Sequence, residues 1–225
     1  MAKFEVCCHK FADLSEHSYG VSILNDSKYG FATCGNLMRL SLLRAPKAPD
    51  AHADMGHHKI RWAILPHSGS LGPDTVRTAY NFNNPMGLFA IDNKNFDESI
   101  FSAITLDTSS STSTPSSLVL DCIKRAEDDP DIVSSLPGPI PFPHITSSRA
   151  ASSSKSVIIR VYESLGGKAR GTIRSKWPLK QVFKTNILED DLEELVVTKK
   201  EGNGDSEVKI ELRAFEVATY RLVIG

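Results

Sequence analysis

His52, Asp54, His57 and His58 place three imidazoles and a carboxylate within one short segment, and these are donor types that zinc prefers. His9 and His67 are further imidazoles that a fold could bring near. The segment follows Ala45-Pro46-Lys47-Ala48-Pro49-Asp50, a loop whose sequence fixes no ligand geometry. An ordinary polar loop accounts for the cluster better, and no metal site is expected within this chain. Arg44 is a different kind of candidate. Its guanidinium fork can give two parallel hydrogen bonds to a carboxylate or to paired hydroxyls, or it can pair with Asp50 or Asp54 and pin the loop. Asp13, Ser15 and Glu16 could form a polar rim, although a turn capping its own backbone is the simpler reading. Trp62 and Trp177 offer flat apolar faces of the kind that stack on sugar rings. Trp62, inside an apolar run, is expected in the core. Trp177, before Pro178, is expected to be the more exposed of the two.

The elements that must position these groups read as strands. Short alternating or apolar runs cut by turn residues span Phe4–His9, Tyr19–Leu24, Phe31–Cys34, Leu37–Arg44 and Ile60–Pro66. Leu37–Arg44 is nearly continuously apolar, as a strand covered on both faces would be. Asn25–Gly30 reads as a turn, with Gly30 free to take positive φ. Pro73–Tyr80 is the best place for a short helix, starting near Asp74 or Thr75. Further strands are expected over Ser99–Asp107, Ser117–Ala126, Val157–Tyr162, Ala169–Trp177, Gln181–Thr185 and Phe215–Ile224. Val208, Ile210 and Leu212 share one face of another. Glu189–Glu194 reads as a helical turn or loop. The expected fold is an all-β, antiparallel sandwich with few short helices. Its regions are residues 1–127 as a first sandwich region, 128–156 as a Pro/Ser-rich mobile loop, and 157–225 as strands completing the sandwich.

Composition narrows the function. A net charge of -1 gives no field for phosphate backbones or anionic lipid, so neither nucleic acid nor membrane is an expected partner. No apolar run approaches the ~20 residues of a membrane span. The 4 cysteines include no C-x-x-C pair and read as free structural thiols.

Four stretches carry a resemblance. They are His9-Lys10-Phe11-Ala12-Asp13-Leu14-Ser15-Glu16; Tyr19-Gly20-Val21-Ser22-Ile23-Leu24-Asn25-Asp26-Ser27-Lys28-Tyr29-Gly30; Leu40-Ser41-Leu42-Leu43-Arg44-Ala45-Pro46-Lys47-Ala48-Pro49-Asp50; and Ala53-Asp54-Met55-Gly56-His57-His58 followed by Leu65-Pro66-His67. In their order and spacing they resemble the C-terminal region of family 38 (class II) α-mannosidases, especially the cytosolic and vacuolar branch. Relatives more often carry Trp where Phe11 stands, and Thr108–Ser116 and Asp128–Ser154 look like insertions.

The resemblance implies a parent enzyme that hydrolyses terminal α-linked mannose from oligosaccharides with retention. It also implies an aspartate nucleophile and a zinc ion in an N-terminal catalytic part, outside this chain. A retaining mechanism needs two carboxyl groups about 5 Å apart, and nothing here matches the family's nucleophile. The chain then reads as a fragment with no catalytic residue of its own, with Arg44, Asp13 and Asp50 as expected substrate-binding residues. The implied partners are the N-terminal catalytic domain and a mannose-containing oligosaccharide, in a homo-oligomeric parent of the cytoplasm or vacuole. The alternative is a stand-alone carbohydrate-binding sandwich module.

Overall fold

The computed structural model describes residues 4–88, 90, 102–108, 116–128, 155–199 and 205–225. The chain forms two compact units that divide between Lys94 and Asn95. The Ser/Thr tract and most of the Pro/Ser-rich stretch lie outside the described residues.

The first unit contains β1 (Val6–Cys7), β2 (Phe11–Ser15), β3 (Tyr19–Asn25), β4 (Gly30–Cys34), β5 (Leu37–Leu40), β6 (Trp62–Ser68) and α1 (Pro73–Asn83). Its strands pair as two three-stranded antiparallel sheets, β2-β3-β6 and β1-β4-β5. Pro66 is accommodated because β6 is an edge strand. The helix begins where the sequence places it. Pro73 opens the first turn, where its missing N–H costs nothing, and Asp74 faces the positive end of the helix dipole. Thr75, Val76 and Ala79 are its buried residues. Asn83 Nδ2 donates to the Asn25 carbonyl at 2.9 Å, tying the last helical turn to the end of β3.

Several local expectations are corrected here. The strand expected over Phe4–His9 shrinks to Val6–Cys7. The strand expected over Leu37–Arg44 ends at Leu40, and Leu42, Leu43 and Arg44 are exposed rather than covered on both faces. Gly30 is not the positive-φ residue; that conformation belongs to Gly35 at the next turn. Gly30 instead lies in β4, where an added Cβ would come within 2.8 Å of Glu5 Oε1. Asp13 and Ser15, expected in a turn, lie on β2.

The second unit contains β7 (Ile104–Asp107), β8 (Leu118–Arg125), β9 (Ser156–Glu163), β10 (Ala169–Ser175), β11 (Leu179–Thr185), β12 (Asp191–Leu195), β13 (Thr198–Lys199), β14 (Ser206–Leu212) and β15 (Val217–Ile224). They form a four-stranded sheet, β13-β14-β10-β7, and a five-stranded sheet, β12-β11-β15-β9-β8. All pairings are antiparallel. Ile173, Val208, Ile210 and Leu212 from the first sheet join Ile159, Val161, Val182, Tyr220 and Leu222 from the second in one core. This is a β-sandwich in which β14 alternates as its sequence predicts. The acidic stretch at 189–194, expected as a helical turn or loop, supplies strand β12 instead. β7 and β8, which the sequence reading grouped with residues 1–127, pair with β10 and β9.

The sandwich is closed by buried polar ties. Arg221 is buried and donates to Asp128 at 2.7 Å, Ser156 at 3.1 Å and the Glu189 carbonyl at 2.9 Å. At the other end, Glu163 accepts from the backbone N–H of Leu165, Gly166 and Phe215 at 2.7–3.0 Å.

Candidate functional site

The loop that carries Arg44 and Asp50 leaves β5 at Ser41. Ser41 is held there by its own N–H to the Gly30 carbonyl at 2.8 Å and by its hydroxyl to the Glu5 carboxylate. The loop contains a cis Ala48–Pro49 bond and then turns at Asp50, whose Oδ1 accepts the backbone N–H of His52 at 2.9 Å. Such an Asx turn is local chemistry, and it leaves one Asp50 oxygen outward. Arg44 is exposed, and among the described residues no ion pair joins it to Asp50 or Asp54. The fork of Arg44 is therefore not committed to pinning its own loop.

The neighbouring donors are spread along the loop rather than gathered at one point. His58 Nε2 bonds the Asp54 carbonyl at 2.8 Å, which uses that nitrogen as a donor. Among the described residues no three His, Cys, Asp or Glu side chains converge as a metal would require.

Asp13 sits elsewhere in the same unit, in a row built by strand register. Asp13 faces Ser22 across β2 and β3, and Gly20 faces both Ser15 and His67 in the next row. Asp13 Oδ2 accepts from Ser22 Oγ at 2.6 Å and His67 Nε2 at 2.7 Å. Gly20 makes this possible, because a Cβ there would overlap the imidazole. Burial opposes the charge on Asp13, but hydrogen bonds from Ser22, Ser15 and His67 outweigh it and hold the carboxyl below its ordinary range. Its side chain is only 7% exposed. Asp13 orients His67 and locks three strands together. Neither Arg44 nor Asp50 is among its hydrogen-bond partners in the described residues. Sequence reasoning quoted His67 within a motif without seeing this role, because its partner is 54 positions away.

Beside this row, a groove of about 570 Å³ runs between the sheet and the β4–β5 hairpin. Leu14, Val21, Ile23, Met38 and Ile64 make it apolar, while Ser15, Glu16 and Asn36 add polar atoms to its lining. The tryptophans reverse their expected places. Trp62 is 51% exposed on β6, whereas Trp177 packs partly buried against the sandwich core. Register puts Trp62 on the same side of its sheet as the exposed Tyr19 and Ile64, while the chain at Trp177 turns inward through bonds to Ser175.

Residues 1–52 match the model of the glycosyl hydrolases family 38 C-terminal domain, and residues 143–220 match that of the family 38 C-terminal beta sandwich domain. Together the two models account for more than half of the chain. The chain belongs to glycosyl hydrolase family 38, as C-terminal sequence of that family. The curated relatives agree along nearly its whole length. A Saccharomyces cerevisiae protein named alpha-mannosidase is 46% identical over 99% of this chain. Alpha-mannosidase G of Dictyostelium discoideum is 35% identical and human alpha-mannosidase 2C1 30% identical, each over 99% of the chain. The chain spans only about a fifth of these relatives, 19% of the yeast protein and 18% of the other two. Asp13, Arg44 and Asp50 all fall in the stretch matched to the first family 38 model, and β9 to β14 fall within the second. Among the described residues no helix is long and apolar enough to cross a membrane.

Proposed function

We propose that this chain is the C-terminal β portion of an α-mannosidase that removes terminal α-linked mannose from oligosaccharides, and that its loops edge a catalytic centre formed by an N-terminal part. The match to family 38 C-terminal models at both ends of the chain carries this reading. The nucleophile and zinc of that centre belong to the N-terminal part. Arg44 is the sugar-contacting residue of this chain, because its fork is exposed and uncommitted. Asp50 assists with its free oxygen, and Asp13 contributes by positioning. The enzyme works in the cytoplasm or vacuole as a homo-oligomer. A stand-alone lectin is disfavoured, since Trp177 packs on the core and the two tryptophans lie in different units.

The test uses the longer polypeptide, meaning this chain joined to the hydrolase portion that the relatives carry outside the matched stretch. It should hydrolyse an aryl α-mannoside, and the 225-residue chain alone should not. In the longer polypeptide Arg44→Ala should lower kcat/KM roughly 10- to 100-fold, as loss of a charge-assisted hydrogen bond does. Its thermal midpoint should not move. Turnover by the purified chain alone, or unchanged kinetics in Arg44→Ala, would overturn the assignment.

A further inference from the structure

We infer that the outer face of the β2-β3-β6 sheet is an interface for the catalytic portion of the same enzyme rather than a surface in water. The inference rests on the function proposed above. Register sets Leu14, Val21 and Pro66 in one row across the three strands, with Ile23 and Ile64 paired in the next. Tyr19 and Trp62 flank them, so the middle of this side of the sheet is apolar, with Ser68 opposite Tyr19 and the buried Asn25 opposite Trp62 at its ends. Tyr19 is 52% exposed and Ile64 60% exposed, although sheets cover such faces with a second layer.

Two contrasts indicate that the cover is a specific partner. Among the described residues the first unit buries only four apolar side chains fully, Leu24, Phe31, Val76 and Ala79, against eighteen in the second. A unit with so small a core has little apolar burial of its own to stabilise it. The outward face of the four-stranded sheet in the second unit is built differently. There Arg174 bridges Asp107 and Glu207 at 2.9 Å, and Arg170 pairs with Glu211 at 2.7 Å. That is a face made for solvent. The β2-β3-β6 face has no such pairs, and Glu16 is the one charged residue lining its groove. Its occupant must present apolar, uncharged side chains. The curated relatives supply the candidate, since the matched stretch is at most 19% of their length and the remainder includes ample surface to cover one sheet.

Hydroxyl-radical footprinting tests this without substitutions, because oxidation of aromatic side chains tracks their access to water. Tyr19 and Trp62 should be oxidised at least five-fold more slowly in the longer polypeptide than in the 225-residue chain alone. Phe215, exposed in the second unit, serves as reference and should not change. Equal oxidation of Tyr19 and Trp62 in a longer polypeptide that hydrolyses an aryl α-mannoside overturns the interface and spares the proposed function. Protection without hydrolysis supports the interface while the proposed function fails. Protection already present in the chain alone, rising with its concentration and matched by dimers in sedimentation, would assign the face to a second copy and overturn the inference.

Discussion

Glu163 shows how one side chain can hold two turns. Both of its oxygens accept backbone N–H groups, from Leu165 and Gly166 after β9 and from Phe215 before β15. Burial disfavours its charge, yet those donors with Ser117 bring its pKa down to about 2 from 4.5. The folded value lies below the unfolded one, so the charged form adds stability that is fully present above about pH 4.5 and is lost as pH falls through 2. The full contribution is about 3 kcal/mol. Glu163→Gln should therefore cost roughly 2–3 kcal/mol in urea unfolding at pH 7, and more than half of that difference should be gone at pH 3. A difference that stays constant between these pH values would show that the charge is not what matters. At this scale the sequence was only partly legible. That Arg44 and Asp50 share one exposed loop was legible, because they are close in sequence. Asp13 was misplaced in a turn, since the signal that puts it on a strand is its pairing with Ser22 and its bond to His67, both remote in sequence. The tryptophans were inverted because strand alternation gives two faces without saying which one is covered.

At the scale of elements, the turn after β9 shows why some glycines were readable and others were not. Gly166 has φ +81° and an added Cβ would lie 2.7 Å from the Phe215 ring, while Gly167 has nothing within 4 Å. Gly166→Ala should destabilise by roughly 1–3 kcal/mol through backbone strain and the clash. Gly167→Ala should stay within about 0.5 kcal/mol of the parent. Similar denaturation midpoints for the two variants would refute this account of the turn. A glycine pair between two apolar runs is a sequence signal for such a turn. Gly30 carries the same letter for a different reason, the approach of Glu5 across the chain, and its turn assignment failed. The strong runs at β9, β14 and β15 were legible because burial there agrees with β propensity. The acidic run became β12 because pairing with β11 overrode its composition, as tertiary context does for edge strands. The apolar run through Leu43 shows the converse: apolar letters continued past Leu40 while the strand did not.

At the scale of the molecule, the unequal cores of the two units predict unequal stability. The second unit joins fourteen buried apolar residues from both of its sheets into one cluster. Removing any of them leaves a cavity among its neighbours, so the sandwich should open only as a whole. The first unit has few fully buried apolar side chains and relies on strand pairing, the Asp13–His67 row and one short helix. The free energy of opening it is accordingly small, since burial of apolar area is the main term that offsets chain entropy. Sequence composition does not reveal this asymmetry, because apolar residues are plentiful in both halves and only the register shows that many of those in the first point outward. Urea unfolding of the 225-residue chain should then show two transitions. Fluorescence from Trp62, in the first unit, should change in the earlier one, and fluorescence from Trp177, against the sandwich core, in the later one. Single-tryptophan variants Trp62→Phe and Trp177→Phe separate the two signals. Native-state hydrogen exchange should agree, with the slowest amides at Ile159, Val161 and Tyr220 and markedly faster exchange in β2, β3 and β6. One coincident transition by both tryptophans, with equal protection across β3 and β9, would mean that the first unit is stabilised by something its own core does not supply.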